Sequence, residues 1–377
     1  MELKFCQYVL ALSRVSLRGA LIIKQEMLSL GGEAALPREA AALAAEQVDV
    51  LLSGTAKQLL GLAEKLARQP FGLKQVAKEL QEAVEPLLAP RSGHWQCREY
   101  SLPLGQKTYI MGILNVTPDS FSDGGRYLEP EAAIRRARQM VDEGADIIDV
   151  GGESTRPGAE FVSEEDELAR VIPVVSQLAK ELAVPISVDT TKYRVAEASL
   201  EAGASIINDI SGLQFEPRLA DLAAKYRAGL VLMHTRGTPR EMQKNPVYTD
   251  VVAEVLSFLQ SAVDQALARG VSREQIILDP GIGFAKTCEH NLEILNRLAE
   301  FRTLGYPLLL GTSRKSFIGK VLDLPVDQRV EGTAASVALG IAAGADVVRV
   351  HDVREMARVA KVSDAIARYQ RSGQDES

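Results

Sequence analysis

From residue 109 onward, short apolar runs rich in valine, isoleucine and leucine alternate with longer stretches of helical composition. Runs of this kind are typical of strands that are buried on both faces, as in parallel sheets covered by helices. The predicted strands are Tyr109–Asn115, Asp146–Val150, Pro185–Asp189, Ser205–Asn208, Gly229–His234, Gln275–Asp279, Pro307–Gly311 and Val347–His351. This alternation predicts an α/β fold of the (β/α)8 or TIM barrel type. A doubly wound dinucleotide-binding sheet is disfavoured because no Gly-x-Gly-x-x-Gly follows the first strand.

A repeated turn before three of these strands supports the repeated architecture. The turns are Glu143-Gly-Ala-Asp146, Ala202-Gly-Ala-Ser205 and Ala343-Gly-Ala-Asp346. Glycine suits the left-handed position that follows the last residue of a helix. Each turn therefore predicts the end of a helix and the start of the next barrel strand.

The first 90 residues have a different pattern. Glu39–Glu46 and Ala56–Arg68 have helical composition. Val48–Leu52 is typical of a strand, and Gly31-Gly32 is typical of a turn. We therefore predict a small N-terminal α/β domain over residues 1–90, to which the sequence assigns no role.

The boundary between the two predicted domains lies near residue 90, where two prolines and a glycine interrupt the helical pattern. Residues 91–106 are predicted to form a linker and a hairpin that leads into the barrel. The expected hairpin strands are Arg98–Leu104 and Lys107–Ile110, joined by a turn at Gly105-Gln106. The barrel domain then occupies residues 107–377.

Composition narrows the class of protein. The chain has 377 residues, of which 46% are hydrophobic and 25% charged, as in ordinary globular proteins. It contains no uncharged apolar run of about eighteen residues and no signal-peptide pattern at its start, so we expect a cytoplasmic protein. Its formal net charge of -7 disfavours broad nucleic-acid binding. Its three cysteines, Cys6, Cys97 and Cys288, are too far apart for a CxxC motif and are expected to be free thiols.

The predicted strands end in polar or ionisable residues, and in a TIM barrel the loops at the C-terminal ends of the strands form the active site. These residues are Asn115, Asp149 with Glu153, Asp189, Asn208 with Asp209, His234, Asp279, Ser313 to Lys315, and Arg349 with His351. Each of them alone also fits a helix N-cap or a turn former. Their shared position at the strand ends is what indicates a site.

The chemistry of these residues predicts two kinds of binding partner. Arg156, Lys315, Arg349 and His351 are suited to gather an anion, with Thr155 as a further donor. Asn115 is a candidate oxygen ligand for Mg²⁺, which favours oxygen ligands and substrate phosphates, so a phosphorylated substrate is expected.

A second group offers acceptors for a flat, N–H-rich ring. Asp189, Asn208 and Asp279 suit a purine-like or pterin ring because a carboxylate can accept two parallel hydrogen bonds. The chain has no GxSxG elbow, no P-loop and no HExxH motif, so covalent and zinc-dependent hydrolysis are disfavoured.

The segment Met111-Gly-Ile-Leu-Asn-Val-Thr-Pro-Asp-Ser-Phe-Ser-Asp-Gly-Gly125 resembles the first pterin-binding signature of dihydropteroate synthases. The remaining motifs resemble that family in order, over residues 107–370. They are Gly151-Gly-Glu-Ser-Thr-Arg-Pro-Gly158, Ser187-Val-Asp189, Ile207-Asn-Asp209, Met233-His234 with Arg236-Gly-Thr-Pro239, Asp279-Pro-Gly281, Ser313-Arg-Lys-Ser-Phe317 and Arg349-Val-His-Asp352. Three residues depart from the common pattern, Ile282, Ala285 and Thr235, and we expect them to affect only the pocket wall.

The resemblance implies that the chain condenses 6-hydroxymethyl-7,8-dihydropterin pyrophosphate with p-aminobenzoate in folate biosynthesis, by an SN1-like mechanism. It implies that Asp189, Asn208, Met233, Asp279 and Lys315 bind the pterin. It assigns the pyrophosphate to Asn115, Thr155, Arg156, Arg349 and His351, with Asn115 as the Mg²⁺ ligand. It assigns the p-aminobenzoate pocket to Phe121, Pro157, Phe284 and Ser316. The residues expected to be catalytic are Asp189, Lys315, Arg349 and His351.

The loops Val116–Gly125 and Gly152–Glu160 combine glycine, proline and serine, and we expect them to close over the substrates. For Phe121 and Phe284, simple packing remains an alternative to a role in binding. The family resemblance further implies a homodimer and inhibition by sulfonamides.

Two other functions stay open at this point. A pterin-dependent methyltransferase would use a similar barrel but would need no pyrophosphate site. A pterin-binding protein without turnover would not need the complete set of anion-binding residues, which are Asn115, Arg156, Lys315, Arg349 and His351. Both alternatives can be distinguished from a synthase by an assay of turnover.

Overall fold

The computed structural model describes residues 6–88, 93–117, 125–153, 162–237 and 246–369. The chain divides into two compact units. One comprises residues 1–91 together with the short segment 302–305, and the other comprises the rest. The domain limits given above stay a prediction.

The N-terminal unit is a three-stranded antiparallel sheet with helices. Its strands are β1 (Gln7–Ser16), β2 (Glu33–Ala35) and β3 (Gln47–Thr55), in the spatial order β1-β3-β2. Its helices are α1 (Leu17–Ser29), α2 (Arg38–Ala41), α3 (Ala56–Leu66) and α4 (Leu73–Leu88). The sheet and helices meet in one apolar core that includes Ile23, Leu52, Leu59 and Leu80.

The sequence predicted this unit in part. The expected strand at Val48–Leu52 lies within β3, and the expected helix Ala56–Arg68 corresponds to α3. Thr55 and Gln58 form a capping box at the start of this helix. The prediction of a helix over Glu39–Glu46 was wrong beyond Ala41. The chain leaves the helix there, and Leu43 adopts a left-handed φ of 54°.

A hairpin precedes the barrel, but it lies earlier in the chain than predicted. Its strands are β4 (His94–Cys97) and β5 (Tyr100–Pro103), so the turn is at Arg98-Glu99 and not at Gly105-Gln106. The left-handed φ of 57° at Arg98 permits this tight turn, and the Arg98 guanidinium donates to the carbonyls of Leu200 and Ala204. Tertiary contacts thus fix a turn that local composition did not reveal.

Eight parallel strands form the barrel: β6 (Tyr109–Asn115), β7 (Ile147–Gly151), β8 (Ile186–Asp189), β9 (Ile206–Asp209), β10 (Gly229–Met233), β11 (Ile276–Asp279), β12 (Leu309–Leu310) and β13 (Val347–Val350). Neighbours in sequence are neighbours in space, and β13 pairs with β6. A parallel bridge between Leu278 and Leu308 closes the ring between β11 and β12. The predicted (β/α)8 barrel and its eight strands are confirmed.

The helices around the barrel are α5 (Gly125–Glu143), α6 (Glu164–Glu181), α7 (Tyr193–Glu201), α8 (Leu219–Tyr226), α9 (Val251–Ala268), α10 (Cys288–Asn296), α11 (Ser316–Leu322), α12 (Val330–Ala343) and α13 (Val353–Ala367). In the described ranges, α9 alone has the length and apolar composition of a membrane span. Its residues Val252, Val255, Leu259 and Val263 are buried, as expected for a helix that packs with one face against the barrel strands. The repeated turn glycines 144, 203 and 344 have φ of 108°, 113° and 108°, as predicted.

The hairpin packs across the N-terminal ends of the barrel strands. Trp95 and Cys97 are fully buried in one cluster with Met111, Val231 and other strand residues. The Trp95 indole donates a 2.8 Å hydrogen bond to the carbonyl of Gln275. The end of the barrel at which the strands begin is therefore closed by side chains.

Candidate active site

The strand ends predicted to form a site do converge at the C-terminal mouth of the barrel. At its centre, Arg349 on β13 forms two ion pairs with residues on two other strands. Its Nε donates to Asp149 Oδ2 on β7 at 2.6 Å, and its Nη2 donates to Asp189 Oδ2 on β8 at 2.6 Å. Asp149 is fully buried and Asp189 is 6% exposed. The two carboxylates therefore orient the guanidinium, whose side chain remains 16% exposed at the mouth.

The protonation of this cluster reflects burial and mutual charge. Burial raises the pKa of Asp189 to about 7, although the Arg349 guanidinium acts in the opposite direction. The negative charge of Asp149 adds to the increase. The pKa of Arg349 is raised because the two carboxylates outweigh the cost of its burial, so the guanidinium stays charged.

Asn208 belongs to the same network. It lies at the end of β9, is 3% exposed, and its Nδ2 donates to Asp149 Oδ2 at 3.1 Å. One carboxylate oxygen of Asp149 therefore accepts hydrogen bonds from both Asn208 and Arg349. The neighbouring Asp209 has a different task, since it accepts from Ser211 and from the backbone N–H of Leu213 and so shapes the loop after β9.

Asp279, Lys315 and Phe284 lie on the adjoining side of the mouth. Burial raises the pKa of Asp279, whereas a hydrogen bond from the Gly281 N–H at 2.7 Å and the charge of Lys315 lower it. The Lys315 ammonium lies 4.1 Å from the centre of the Phe284 ring, within cation–π distance. This side thus combines an acceptor, a cation and an aromatic face.

An apolar wall completes this part of the mouth. Ile210, Met233, Phe284 and Ala285 form one buried cluster. Ala285 is one of the three residues that depart from the family pattern, and it adopts a left-handed φ of 49°. Ile282 and Thr235, the other two, are also buried. The predicted position of these departures in or near the pocket wall is consistent with their burial.

Beneath the wall lies a buried lysine that the sequence analysis did not single out. Lys286 is 3% exposed, and its ammonium contacts His234 Nδ1 at 2.9 Å, the Gly281 carbonyl at 2.9 Å and the Phe284 carbonyl at 3.0 Å. Burial lowers the pKa of Lys286 to about 7, and burial together with the Lys286 charge lowers the pKa of His234 to about 2. His234 is therefore a neutral acceptor, and Lys286 ties the segment 281–286 to the end of β10.

His351 lies at the start of the loop after β13 and is held by Ser313. The Ser313 hydroxyl oxygen accepts from the His351 backbone N–H at 3.1 Å and lies 3.0 Å from His351 Nδ1. Burial and the nearby positive charges of Arg349 and Arg314 lower the pKa of His351 to about 3, so its ring is neutral near pH 7. If the Ser313 hydroxyl donates to Nδ1, the proton of the ring lies on Nε2, where it can be donated to an anion.

Asn115 ends β6 beside Asp189. A Cβ atom built on Gly151 would lie 3.7 Å from Asn115 Oδ1 and 3.9 Å from Asp189 Oδ2, so the two side chains flank this glycine. Within the described ranges, no three His, Cys, Asp or Glu side chains are grouped as metal ligands. An amide oxygen beside a single carboxylate suits a Mg²⁺ ion that is held mainly by water and substrate phosphates.

Several predicted site residues cannot be placed. Thr155, Arg156, Pro157 and Phe121 lie outside the described residues, as do the central parts of both predicted mobile loops. Ser316 is described and exposed, and it begins α11 directly after Lys315. These assignments stay predictions.

At the start of the second of these loops, Glu153 and Lys192 form an ion pair at 2.6 Å. Lys192 also pairs with Glu167 on α6, whose pKa is raised by burial. Glu153 also accepts a 3.1 Å hydrogen bond from the Val162 N–H, so the residues that flank the segment 154–161 are bonded to each other. Only Glu153 of this trio was noted from the sequence, because Glu167 and Lys192 lie on or next to helices and follow no motif.

Comparison with known proteins is consistent with this geometry. Residues 111–351 match the family model described as pterin binding enzyme. The dihydropteroate synthase of Bacillus subtilis (strain 168) is 55% identical over 266 residues, which are 71% of this chain and 91% of that protein. A probable bifunctional folylpolyglutamate synthase/dihydropteroate synthase of Halobacterium salinarum is 44% identical over 353 residues, 94% of this chain and 42% of that protein.

Solved structures show the same similarity. A Xanthomonas albilineans dihydropteroate synthase with 4-aminobenzoic acid has a TM-score of 0.70 and 41% identity, over 74% of this chain and all of that one. A Yersinia pestis dihydropteroate synthase in complex with a sulfonamide drug has a TM-score of 0.69 and 43% identity, over 73% of this chain and all of that one. The chain therefore belongs to the dihydropteroate synthase family of pterin-binding enzymes, which are transferases of folate biosynthesis.

Proposed function

We propose that the chain joins 6-hydroxymethyl-7,8-dihydropterin pyrophosphate to p-aminobenzoate, with release of pyrophosphate. The observation that carries this proposal is the single hydrogen-bonded network at the mouth of the barrel. In it, Asp189 accepts directly from Arg349, and Asn208 is joined to Arg349 through Asp149. Asp189 and Asn208 are acceptors suited to a pterin, and Arg349 is a cation suited to pyrophosphate. A substrate with a flat N–H-rich ring and an anionic tail matches both halves of this network.

The pterin half of the proposal uses Asp189, Asn208, Asp279 and Lys315, with Met233 in the wall. The two carboxylates are suited to accept from the pyrimidine N–H groups because both are buried and their hydrogen bonds escape competition from water. Asp189 already accepts from Arg349 and Asp279 from the Gly281 N–H, and the remaining acceptor positions of these buried carboxylates select for a ring that supplies donors. The apolar cluster around Met233 would pack against the face of the ring.

The pyrophosphate half uses Arg349 and His351, and by resemblance Asn115, Thr155 and Arg156. Charge accumulates on the leaving oxygen as the C–O bond breaks, and fixed donors in a dry site stabilise it. Removal of one such donor typically reduces transition-state stabilisation by about 3 kcal/mol. Mg²⁺, if bound by Asn115 and the phosphates, would supply additional positive charge at the leaving group.

The proposed reaction proceeds by dissociation first. The C–O bond breaks with its electron pair on pyrophosphate and leaves a cation that the pterin ring delocalises. The lone pair of the aniline nitrogen then forms the C–N bond, and the nitrogen releases a proton to solvent. An aryl amine carries a free lone pair at neutral pH and needs no strong base, in keeping with the pKa of His351, which at about 3 makes its ring a weak base.

The p-aminobenzoate pocket is proposed from Phe284, Ser316, Phe121 and Pro157. Phe284 lies beside the Lys315 ammonium, so an aromatic face and a cation for the carboxylate are adjacent. A homodimer and a cytoplasmic location remain predictions by resemblance and composition. The role of residues 1–90 is not assigned.

The proposal is tested by dihydropteroate formation from the two substrates with Mg²⁺, with pyrophosphate release as the readout. Arg349→Ala is expected to lower kcat/KM by about a hundredfold or more. Arg269→Ala is the matched control, because Arg269 pairs only with the surface residue Asp221 among the interactions described. A sulfonamide should compete with p-aminobenzoate. Pterin binding without turnover by the unaltered chain would instead favour the methyltransferase or the binding-protein alternative.

A further inference from the structure

Asp149 has no assigned role, yet it occupies the centre of the hydrogen-bonded network at the mouth. It faces the barrel interior from β7, in register with Ile113 of β6 and Ser187 of β8, two residues before the strand ends at Gly151. Its side chain is fully buried, and its Oδ1 has no hydrogen-bond partner in the described part of the chain. A fully buried carboxylate is unfavourable unless a compensating interaction or a function retains it.

The compensation comes from two donors on one oxygen. Asp149 Oδ2 accepts from Arg349 Nε at 2.6 Å and from Asn208 Nδ2 at 3.1 Å. In the proposed function, Asn208 binds the pterin and Arg349 binds the pyrophosphate. The same carboxylate oxygen therefore sets the distance and orientation between the two groups that hold the two halves of the substrate.

The two carboxylates around Arg349 are not equivalent. Asp189 is bonded only to the outer nitrogen Nη2, and it is slightly exposed to the mouth, where a ligand can reach it. Asp149 is bonded to Nε, nearest the stem of the side chain, and is closed to solvent. A pterin can thus replace Arg349 on Asp189 while Asp149 keeps the guanidinium in place.

We propose that Asp149 is a positioning residue that anchors Arg349 and Asn208 together, so that pterin binding at Asp189 frees one edge of Arg349 for the pyrophosphate. The inference rests on the proposed function and adds a residue and an order of events to it. It requires binding of the two halves to be coupled, because the same hydrogen-bonded unit contacts both.

The test compares Asp149→Asn with the unaltered protein. The probes are 6-hydroxymethylpterin and inorganic pyrophosphate with Mg²⁺, titrated separately and then each in the presence of the other. In the unaltered protein, each probe is expected to raise the affinity for the other by about fivefold or more. In the variant this enhancement should disappear. The KM for pterin pyrophosphate should rise about tenfold while the KM for p-aminobenzoate changes little.

Asp346→Asn is the matched control. Like Asp149, Asp346 is a buried aspartate. It lies at the opposite end of the barrel strands, where it accepts a 2.9 Å hydrogen bond from the Leu308 N–H. Its substitution should leave both KM values and the coupling unchanged. If Asp149→Asn behaves like Asp346→Asn, the inference is overturned. Circular dichroism and the fluorescence of Trp95 establish that each variant is folded.

A measurement on the unaltered protein keeps the inference testable if Asp149→Asn does not fold. The Nε–Hε signal of Arg349 in an NMR spectrum should exchange slowly with water, and it should stay slow when 6-hydroxymethylpterin is bound. Fast exchange upon pterin binding would mean that Arg349 leaves Asp149, which contradicts the inference. This result does not depend on turnover, so a failure of the synthase assay and a failure of this inference are distinguishable.

Discussion

Replacement of the buried Lys286 by methionine should change how the stability of the barrel depends on pH. Burial lowers the pKa of Lys286 to about 7 in the folded protein, whereas an unfolded lysine has a pKa near 10.4. Between these two values the unfolded chain binds more protons than the folded one. The free energy of unfolding of the unaltered protein therefore increases as the pH rises from about 7 towards about 10.4. Below pH 7 the buried lysine is charged, and the full cost of burying that charge lowers the stability.

The size of this contribution follows from the shift. One pKa unit corresponds to about 1.4 kcal/mol, and pH 9 is two units above the folded pKa, so the gain between pH 6 and pH 9 is about 3 kcal/mol. Lys286→Met lacks the titrating group and should lack this gain. His234 does not interfere, because burial is the main cause of its lowered pKa and keeps it neutral over this range. The other charges that act on Lys286 are Asp279, Lys315 and Arg236, which the two proteins share.

The assay is urea unfolding followed by the fluorescence of Trp95. It is the only tryptophan of the chain and is fully buried at the base of the barrel, so it reports on this unit. Lys225→Met is the control, because Lys225 is exposed and its pKa is raised, which keeps it charged from pH 6 to pH 9. The reasoning is refuted if the unaltered protein and Lys286→Met show parallel stability curves from pH 6 to pH 9.

Three further predictions concern the pterin site, the base of the barrel and the N-terminal unit. The affinity for 6-hydroxymethylpterin should fall about tenfold per pH unit well below pH 7, because Asp189, with its pKa raised to about 7, must be ionised to accept two N–H groups. Calorimetry should show a shallower pH profile for Asp189→Asn, in which only Asp279 of the two carboxylates still titrates. Gly229→Ala should destabilise the barrel by about 1–3 kcal/mol in urea unfolding, since the added Cβ would lie 2.6 Å from Cys97 Sγ; an unchanged midpoint would contradict this packing. A shortened protein that begins at residue 93 should keep most of the kcat of the full chain, because the Bacillus subtilis relative aligns with 71% of this chain over 91% of the relative's length. A large loss of kcat in steady-state assays would give the N-terminal unit a catalytic role.

The barrel could be predicted because its signal is local and repeated. Each strand is a short apolar run, and each of the turns at Gly144, Gly203 and Gly344 has the left-handed φ that the sequence suggests. The N-terminal unit gave a weaker signal. In β1, the exposed positions Val9 and Ala11 are as apolar as the inward-facing Leu10 and Leu12, so the alternation that identifies a half-buried strand is blurred.

The sequence predicted which of the described residues meet at the candidate site, but not the hydrogen-bonded network that they form. The strand ends supplied Asp189, Asn208 and Arg349, because polar residues after apolar runs are visible in the sequence. The sequence could not show that Asp149 bonds to Arg349, 200 positions later, since this contact depends on β7 and β13 both lying next to β6. The role of Lys286 was hidden for a similar reason, because its partner His234 lies 52 positions earlier.

The hairpin at the base of the barrel limits the routes by which ligands can enter and leave the enzyme. Trp95 and Cys97 seal one end, and the interior is filled by side chains, so in the described part of the chain the mouth serves for both arrival and departure. A pterin bound at Asp189 and Asn208, as proposed, would lie deeper than p-aminobenzoate and should therefore enter first and leave last. Pterin pyrophosphate should bind before p-aminobenzoate. The benzoate end of the product should leave the site first, and the pterin should separate from Asp189 and Asn208 last.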